Sequence, residues 1–287
     1  MQGVYRIYDG GTLIAESANV ITDMAPIAIL RFMAGFDRSW ASSIGVGCST
    51  EEPTKEDTRL GFEIGRGSIK IKSPDIENKS VVAKGTIPRD VVGVINELGV
   101  FSATSNPNPE MGQSLISDFN PVIIDIDGVE AVAGRIGNLS AKVVVAENET
   151  VDVRGMSLDI SALSGRDELI FAYDADNIYS VTLKFMNSES AYLEHTFNPD
   201  QGFGVESWRI NEFLSEGGGT HLDPFYRVEL DIQSSTGGGE FTLEGLAKHD
   251  TDLTTEQMLI SRTVLETPIE KTNASELEVE YSLAFNF

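Results

Sequence analysis

Apolar and polar residues alternate in period two along most of this chain, the spacing of half-buried strands. "GVYRIYDGGTLIAES" (residues 3–17) holds two such runs around Asp9-Gly10-Gly11, a hairpin turn signal. The exception is "TDMAPIAILRFMAG" (22–35). It has Asp23 in a capping position, Pro26 in the first turn, Gly35 as a stop and apolar residues on every side. That pattern predicts one helix, buried against the sheets. "PRDVVGVINEL" (88–98) reads equally as helix or as extended chain, because its Val and Ile residues favour the latter.

After Phe101 the alternation stops. "SATSNPNPEMGQS" (102–114) has two prolines and no period, which is linker chemistry. A second series then runs on from Leu115, with "AKVVVAEN", "ELIFAYDAD", "YSVTLKFMN", "AYLEHTFN" and "YRVELDIQSS" among its strands. Short strands parted by turn residues predict an antiparallel sandwich or jelly roll. Around Thr251–Thr255 the character reverts. "LISRTVLETPIEKTNASELEVEYSLAFNF" (259–287) reads as two strands around a turn at Asn273–Glu276. A lone hairpin is marginal in water, so this ending needs a sheet upstream.

An insertion accounts for the order most simply. Residues 1–104 plus 255–287 form a discontinuous base domain, and residues 112–250 are a guest set into one of its loops. The expected fold class is mainly β: a β-sandwich base domain with one buried helix, interrupted by an inserted antiparallel jelly-roll β-sandwich.

The charge balance narrows the partners. Lys and Arg number 21 against 45 Asp and Glu, a formal net charge of −24 over 287 residues. Such a surface repels phosphate backbones and anionic membranes, so no nucleic-acid partner is expected. No window approaches the ~20 apolar residues of a membrane helix, so no membrane insertion is expected either. Two readings of the acidity stay open, plain solubility and adaptation to a high-salt, halophilic habitat. A high-salt protein should gain melting temperature steadily up to molar KCl, whereas screening of ordinary surface pairs saturates within the first few tenths molar. Cys48 is the one cysteine, which leaves no intrachain disulfide. The first residues lack a basic segment followed by an apolar core, so no signal peptide is expected and synthesis is assigned to the cytoplasm.

The base-domain segments carry a recognisable order. "ESANVITDMAPIAILRFMAG", "WASSIGVGCSTEEPTKEDTRLGFEIGR", "INELGVF" and "LISRTVLETPIEKTNASELEVEYSLAF" resemble, in that sequence, a family of small structural proteins of tailed bacterial and archaeal viruses. The matching positions are Ile44 to Gly47, Pro53-Thr54, Asp57-Thr58, Leu60, Glu97 to Phe101, Arg262, Pro268-Ile269, Lys271 and Leu277 to Leu283. Cys48 stands where the family tends to have a small residue. The resemblance implies a component of the virion exterior (a capsid-vertex turret or head fibre, or a tail protein). It also implies a symmetric homo-oligomer that contacts other virion proteins.

The guest is similar to the galactose-binding-like jelly rolls of carbohydrate-binding modules. The likeness lies in "SLISDFNP", "IGNLSAKVVV", "GMSLDISALSGRDELIFAYDAD", "YSVTLKF" and "GVESWRINEFL". It implies contact with host-surface glycan, with attachment as the function. The alternatives are a purely architectural virion component without ligand, or a cellular carbohydrate-binding module.

Sugar recognition needs an aromatic platform and planar polar groups. Tyr173, Tyr179, Tyr192, His195 and Arg209 are the candidates, while Trp208 falls where the resembled modules bury a tryptophan. Tyr192 and His195 point to opposite faces if their strand is regular. No cofactor is required. Jelly rolls of this type often carry a structural calcium, for which Asp118, Asp174, Asp176 and Asp250 are the candidate donors. "DIDG" (125–128) reads as a turn instead. His195, His221 and His249 are scattered, and G-x-S-x-G, P-loop and H-E-x-x-H patterns are missing, so no enzyme is expected.

Overall fold

The computed structural model describes residues 1–103, 111–122, 128–160, 163–249 and 257–285, with the side chains of 154–159 left aside. The chain divides into two compact units, Met1–Gly112 with Asp252–Phe287, and Gln113–Thr251. Both are mainly β.

The first unit opens with β1 (Gln2–Asp9) and β2 (Thr12–Ala18), then β3 (Val20–Ile21) and helix α1 (Met24–Met33). Four strands follow: β4 (Ser39–Gly47), β5 (Glu63–Asp75), β6 (Ser80–Ile87) and β7 (Gly93–Ala103). The β1–β2 turn has Gly10 and Gly11 at φ 54° and 81°, the left-handed pair that a two-residue hairpin loop requires. In "PRDVVGVINEL" extended chain wins: its second half is the start of β7, buried at almost every position.

The second unit then runs through eleven strands. They are β8 (Gln113–Ser117), β9 (Glu130–Ala133), β10 (Leu139–Val145), β11 (Thr150–Ile160), β12 (Glu168–Asp176), β13 (Ile178–Met186), β14 (Tyr192–Phe197), β15 (Gly202–Arg209), β16 (Leu214–Glu216), β17 (Phe225–Ser234) and β18 (Gly239–His249). The chain returns to the first unit as β19 (Leu259–Lys271) and β20 (Leu277–Ala284).

These last two strands complete the first unit's nine-stranded sheet, in the order β2-β1-β20-β6-β5-β4-β7-β19-β3. β20 lies between β1 and β6, with Tyr281 opposite both Tyr5 and Ala83. β19 runs beside β7, with Arg262 opposite Gly99. Ser17 Oγ meets Thr263 Oγ1 at 2.7 Å, and Thr263 Oγ1 donates to the Ala18 carbonyl at 2.6 Å. One end of the sheet thus touches the other, and its two halves face each other over one core. Tyr5, Ile44, Leu98, Val100, Ile260, Val279 and Tyr281 fill that core. Tyr5 spans it, its hydroxyl 2.7 Å from Ser261 Oγ.

Helix α1 corrects an expectation. Only Ala25 and Ala28 are buried, and Ile27, Leu30 and Met33 are exposed, so the helix is not buried all round. Two alanines let its backbone sit close to the sheet, Met24 and Ile29 pack part-buried against the same core, and Ile27, Leu30 and Met33 are left outside. Asp23 occupies the N-cap without a side-chain hydrogen bond, because its conformation is already helical (φ −67°, ψ −15°). Gly35 ends the helix at φ 78°, as its sequence position indicates.

The second unit is an antiparallel jelly-roll-type sandwich. One sheet has the order β15-β12-β18-β10-β9 with β8 also on β18, and the other has β11-β17-β13-β14-β16. Inward positions of both make one core, in which Phe171, Tyr173 and Phe241 stack at centroid distances of 5.5–6.2 Å. Stacked rings of this kind add specific geometry to a large apolar burial.

Candidate functional site

Two polar clusters stand out, one inside the first unit and one on the surface of the second. The first gathers residues from three distant segments, 47–66, 97–101 and 262. Glu97 on β7 has no exposed surface, and it accepts hydrogen bonds from the amides of Ser49, Gly61 and Phe62 at 3.2, 3.0 and 2.9 Å. Arg262 on β19 donates Nε to Glu97 Oε2 at 2.9 Å, Nη1 to Asp57 Oδ2 at 2.8 Å and Nη2 to the Glu51 carbonyl at 3.1 Å. Asp57 in turn accepts from the Thr54 amide and hydroxyl at 3.0 and 2.7 Å. The long 48–62 connection is thereby pinned to β7 and β19 by charge-assisted bonds.

Gly47 belongs to the same arrangement. A Cβ there would lie 2.4 Å from Glu97 Oε1 and from the Phe62 carbonyl, so the position admits no side chain. Beside it, Arg66 grips Glu63 through two bonds of 2.6 and 2.7 Å and lies 3.8 Å over the Phe101 ring. Burial raises the pKa of Glu97 and of Glu63, against the pull of their arginines. Burial would raise Asp57 too, but hydrogen bonds from Arg262 and Thr54 outweigh it and leave its pKa lowered. The cluster is internal, so it organises the unit and offers nothing to a ligand.

The second cluster lies on the open side of the five-stranded sheet. Alternation turns Val181, Leu183 and Phe185 of β13 inward and Thr182 and Lys184 outward. Register sets Thr182 between Thr196 and Asp231, Lys184 between Glu194 and Glu229, and Met186 between Tyr192 and Arg227. Thr182 and Thr196 hydroxyls meet at 2.8 Å. Lys184 Nζ donates to Asp231 and stands 6.0 Å from the Tyr192 ring centroid. At the end of the face Arg227 Nη2 pairs with Glu229 at 2.8 Å and with Glu189 at 3.2 Å, and Tyr226 donates to Glu189 at 3.1 Å. Donors and acceptors therefore stand side by side on one sheet face, beside a half-buried phenol.

The five glycan candidates do not gather there. Tyr192 alone lies on this face. Tyr173 is withdrawn: its ring is wholly inside the core stack, and its hydroxyl accepts from the Asp200 amide at 3.1 Å, with a pKa pushed up to about 12 by burial. His195, three residues from Tyr192, turns inward as a regular strand requires and packs 4.8 Å from Trp208 and 5.0 Å from Phe213. Burial lowers its pKa despite Glu212, so it is a neutral edge of the core at neutral pH. Tyr179 is exposed at the start of β13, and Arg209 is exposed at the end of β15, 4.0 Å from Glu168. Reading β13 and β17 in register would have found Lys184, Asp231 and Arg227, which alternate outward.

The calcium candidates are likewise dispersed in their duties. Asp174 faces the Arg135 guanidinium at 3.8 Å, an ion pair that already meets its charge. Asp118 accepts from the Asn120 amide at 3.3 Å in the turn after β8. Asp176 is exposed at the end of β12. Among the described residues no three His, Cys, Asp or Glu converge as a cation site needs. Asp250 and residues 125–127 of "DIDG" lie outside the described residues.

No protein-family model and no curated protein matches the chain. Solved structures similar to it include a family 11 carbohydrate-binding module from Clostridium thermocellum in complex with a β-1,3-1,4-mixed-linked tetrasaccharide. It is 12% identical over 48% of this chain and 95% of that one, with a TM-score of 0.37. The family 11 module of the cellulosomal cellulase Lic26A-Cel5E from the same organism is 13% identical over 50% and 97%, TM-score 0.38. The enzymatically active domain of bacteriophage CBA120 tailspike protein 4 is 13% identical over 47% and 21%, TM-score 0.32. Identities this low carry no ligand from one protein to another.

Proposed function

We propose that this chain is a non-enzymatic structural protein of a tailed virus particle, displayed on its exterior, and that its second unit attaches weakly to host-surface glycan. The observation that carries the glycan reading is the outer face of the five-stranded sheet. Tyr192 supplies an apolar platform there, and Lys184, Asp231, Arg227, Glu229 and the Thr182–Thr196 pair supply oriented hydrogen-bonding groups, which is the chemistry a sugar ring requires. The virion reading is supported by the ordered motifs of the first unit. Glu97 and Asp57, widely separated in sequence from Arg262, are both bonded to it in the fold.

An exposed sheet face binds one sugar weakly, on the order of millimolar. Many copies on one particle would turn this into firm adsorption. Tyr192→Ala and Lys184→Ala together should abolish retention of the purified protein on host-envelope glycan and leave the melting temperature near that of the unchanged chain. Retention that survives both changes would remove the glycan role. Immuno-electron microscopy of intact particles tests the location, and label confined to the host cell would overturn it.

A further inference from the structure

Charge on the outer face of the five-stranded sheet is unevenly matched. The two cations described on it are committed: Lys184 donates to Asp231, and Arg227 pairs with Glu229 at 2.8 Å and with Glu189 at 3.2 Å. The carboxylates around Tyr192 are not. Alternation puts Glu194 on the same face of β14, two residues on, and register sets Glu216 of β16 opposite Tyr192. Among the described residues neither Glu194 nor Glu216 forms an ion pair. Directly opposite residues of an antiparallel pair lie about 5 Å apart, so carboxylates placed this way can reach a ligand seated on the ring.

We infer that the sugar this face takes is a cationic one, carrying a free amino group, and that Glu194 and Glu216 are the residues that select it. The inference rests on the glycan reading of this face and narrows it to one class of sugar. A pyranose laid with its apolar side on the Tyr192 ring holds its substituents outward, at the height of the flanking side chains. A protonated amine there meets two carboxylates in charge-assisted hydrogen bonds and the negative face of the ring as well. A uronate or phosphate on the same sugar would meet Glu194 and Glu216 with no uncommitted cation to offset them. A neutral or N-acetylated sugar leaves both carboxylates in water and gains nothing from them. The field of the whole chain, at −24, acts in the same direction, drawing cationic groups in at low salt. That field does not distinguish one site from another, whereas carboxylates beside one ring do.

Retention of the full chain on immobilised β-1,4-linked glucosamine oligomers, and on the same oligomers after N-acetylation, tests it at a pH below neutral, where the free amine is protonated. The unchanged chain should be held on the amine form and about tenfold more weakly on the acetylated one. Glu194→Gln with Glu216→Gln should remove that difference and preserve the melting curve. Glu147→Gln with Glu149→Gln, at two exposed acids in the turn between β10 and β11, removes the same net charge elsewhere and should keep the difference. Equal retention of the unchanged chain on the two oligomers overturns the inference. So does a control pair that loses as much as the Glu194 and Glu216 pair, since bulk charge would then be the cause. A chain held on host-envelope glycan but not on the glucosamine oligomer keeps the glycan reading and overturns this one. A chain held on neither overturns both.

Discussion

Replacing Arg262 by alanine should destabilise the first unit by about 3–5 kcal/mol, seen as a lower midpoint in urea unfolding. The substitution takes the charge partner from Glu97, a carboxylate with no exposed surface, and removes the bonds to Asp57 and the Glu51 carbonyl. Glu97 would still face the amides of Ser49, Gly61 and Phe62, which satisfy its oxygens but do not balance its charge. Glu97→Gln should also destabilise, because its one oxygen can replace Oε1 for Ser49 and Phe62 while its NH2 would then face two donors, the Gly61 amide and Arg262 Nε. A Gln variant as stable as the unchanged chain would mean that the Glu97–Arg262 pair contributes nothing to stability.

The same variant should unfold at higher pH in acid. Asp57 has a folded pKa below its unfolded value, so its stabilising contribution is present above the unfolded value and is lost as pH falls through the folded one. Without Arg262 the folded pKa returns toward the ordinary carboxylate range. The acid limb of stability should then begin nearer that range than in the unchanged chain. Glu97 works in the opposite sense, since its raised pKa favours the folded form as protons are added. Its effect on the acid limb is therefore opposed to that of Asp57, and the early onset is the signature of Asp57.

Excising the second unit should leave the first one folded. β7 and β19, which lead into and out of the insertion, are neighbours, with Phe101 opposite Leu259. The Ser102 amide donates to the Met258 carbonyl at 2.9 Å, and the Met258 amide donates to Ser102 Oγ at 3.1 Å. Antiparallel partners sit about 5 Å apart, so a turn of a few Gly and Ser residues can replace 104–256. The first unit's core contains residues from both flanks of the insertion and none from within it. The shortened chain should unfold in one cooperative transition and lose all glycan retention. Aggregation or a non-cooperative melt would show that the first unit depends on its guest.

Much of this was legible in the chain. Strands follow from period-two alternation, and the reversion of pattern before Leu259 assigns the ending to a sheet far upstream, where β20 lies between β1 and β6. Gly10-Gly11 and Gly35 mark a turn and a helix end because only their backbones reach positive φ without strain. Alternation also separates Tyr192 from His195, since a pleated strand sends residues three apart to opposite faces.

What the tertiary structure decided are relations between distant residues and choices among equivalent faces. Glu97 and Arg262 lie 165 positions apart, and as single letters they are an acid among 45 and a base among 21. Only the pairing of β7 with β19 makes them partners. Tyr173 looked like a platform because a tyrosine's ring does not reveal which side of the strand it occupies, and its place in the Phe171–Phe241 stack settles that. Helix α1 is apolar except for Arg31, so its sequence says little about which side meets the sheet. The small side chains of Ala25 and Ala28 allow the closest approach, so they face inward, and the bulk of Leu30, Met33 and Phe36 is left outside.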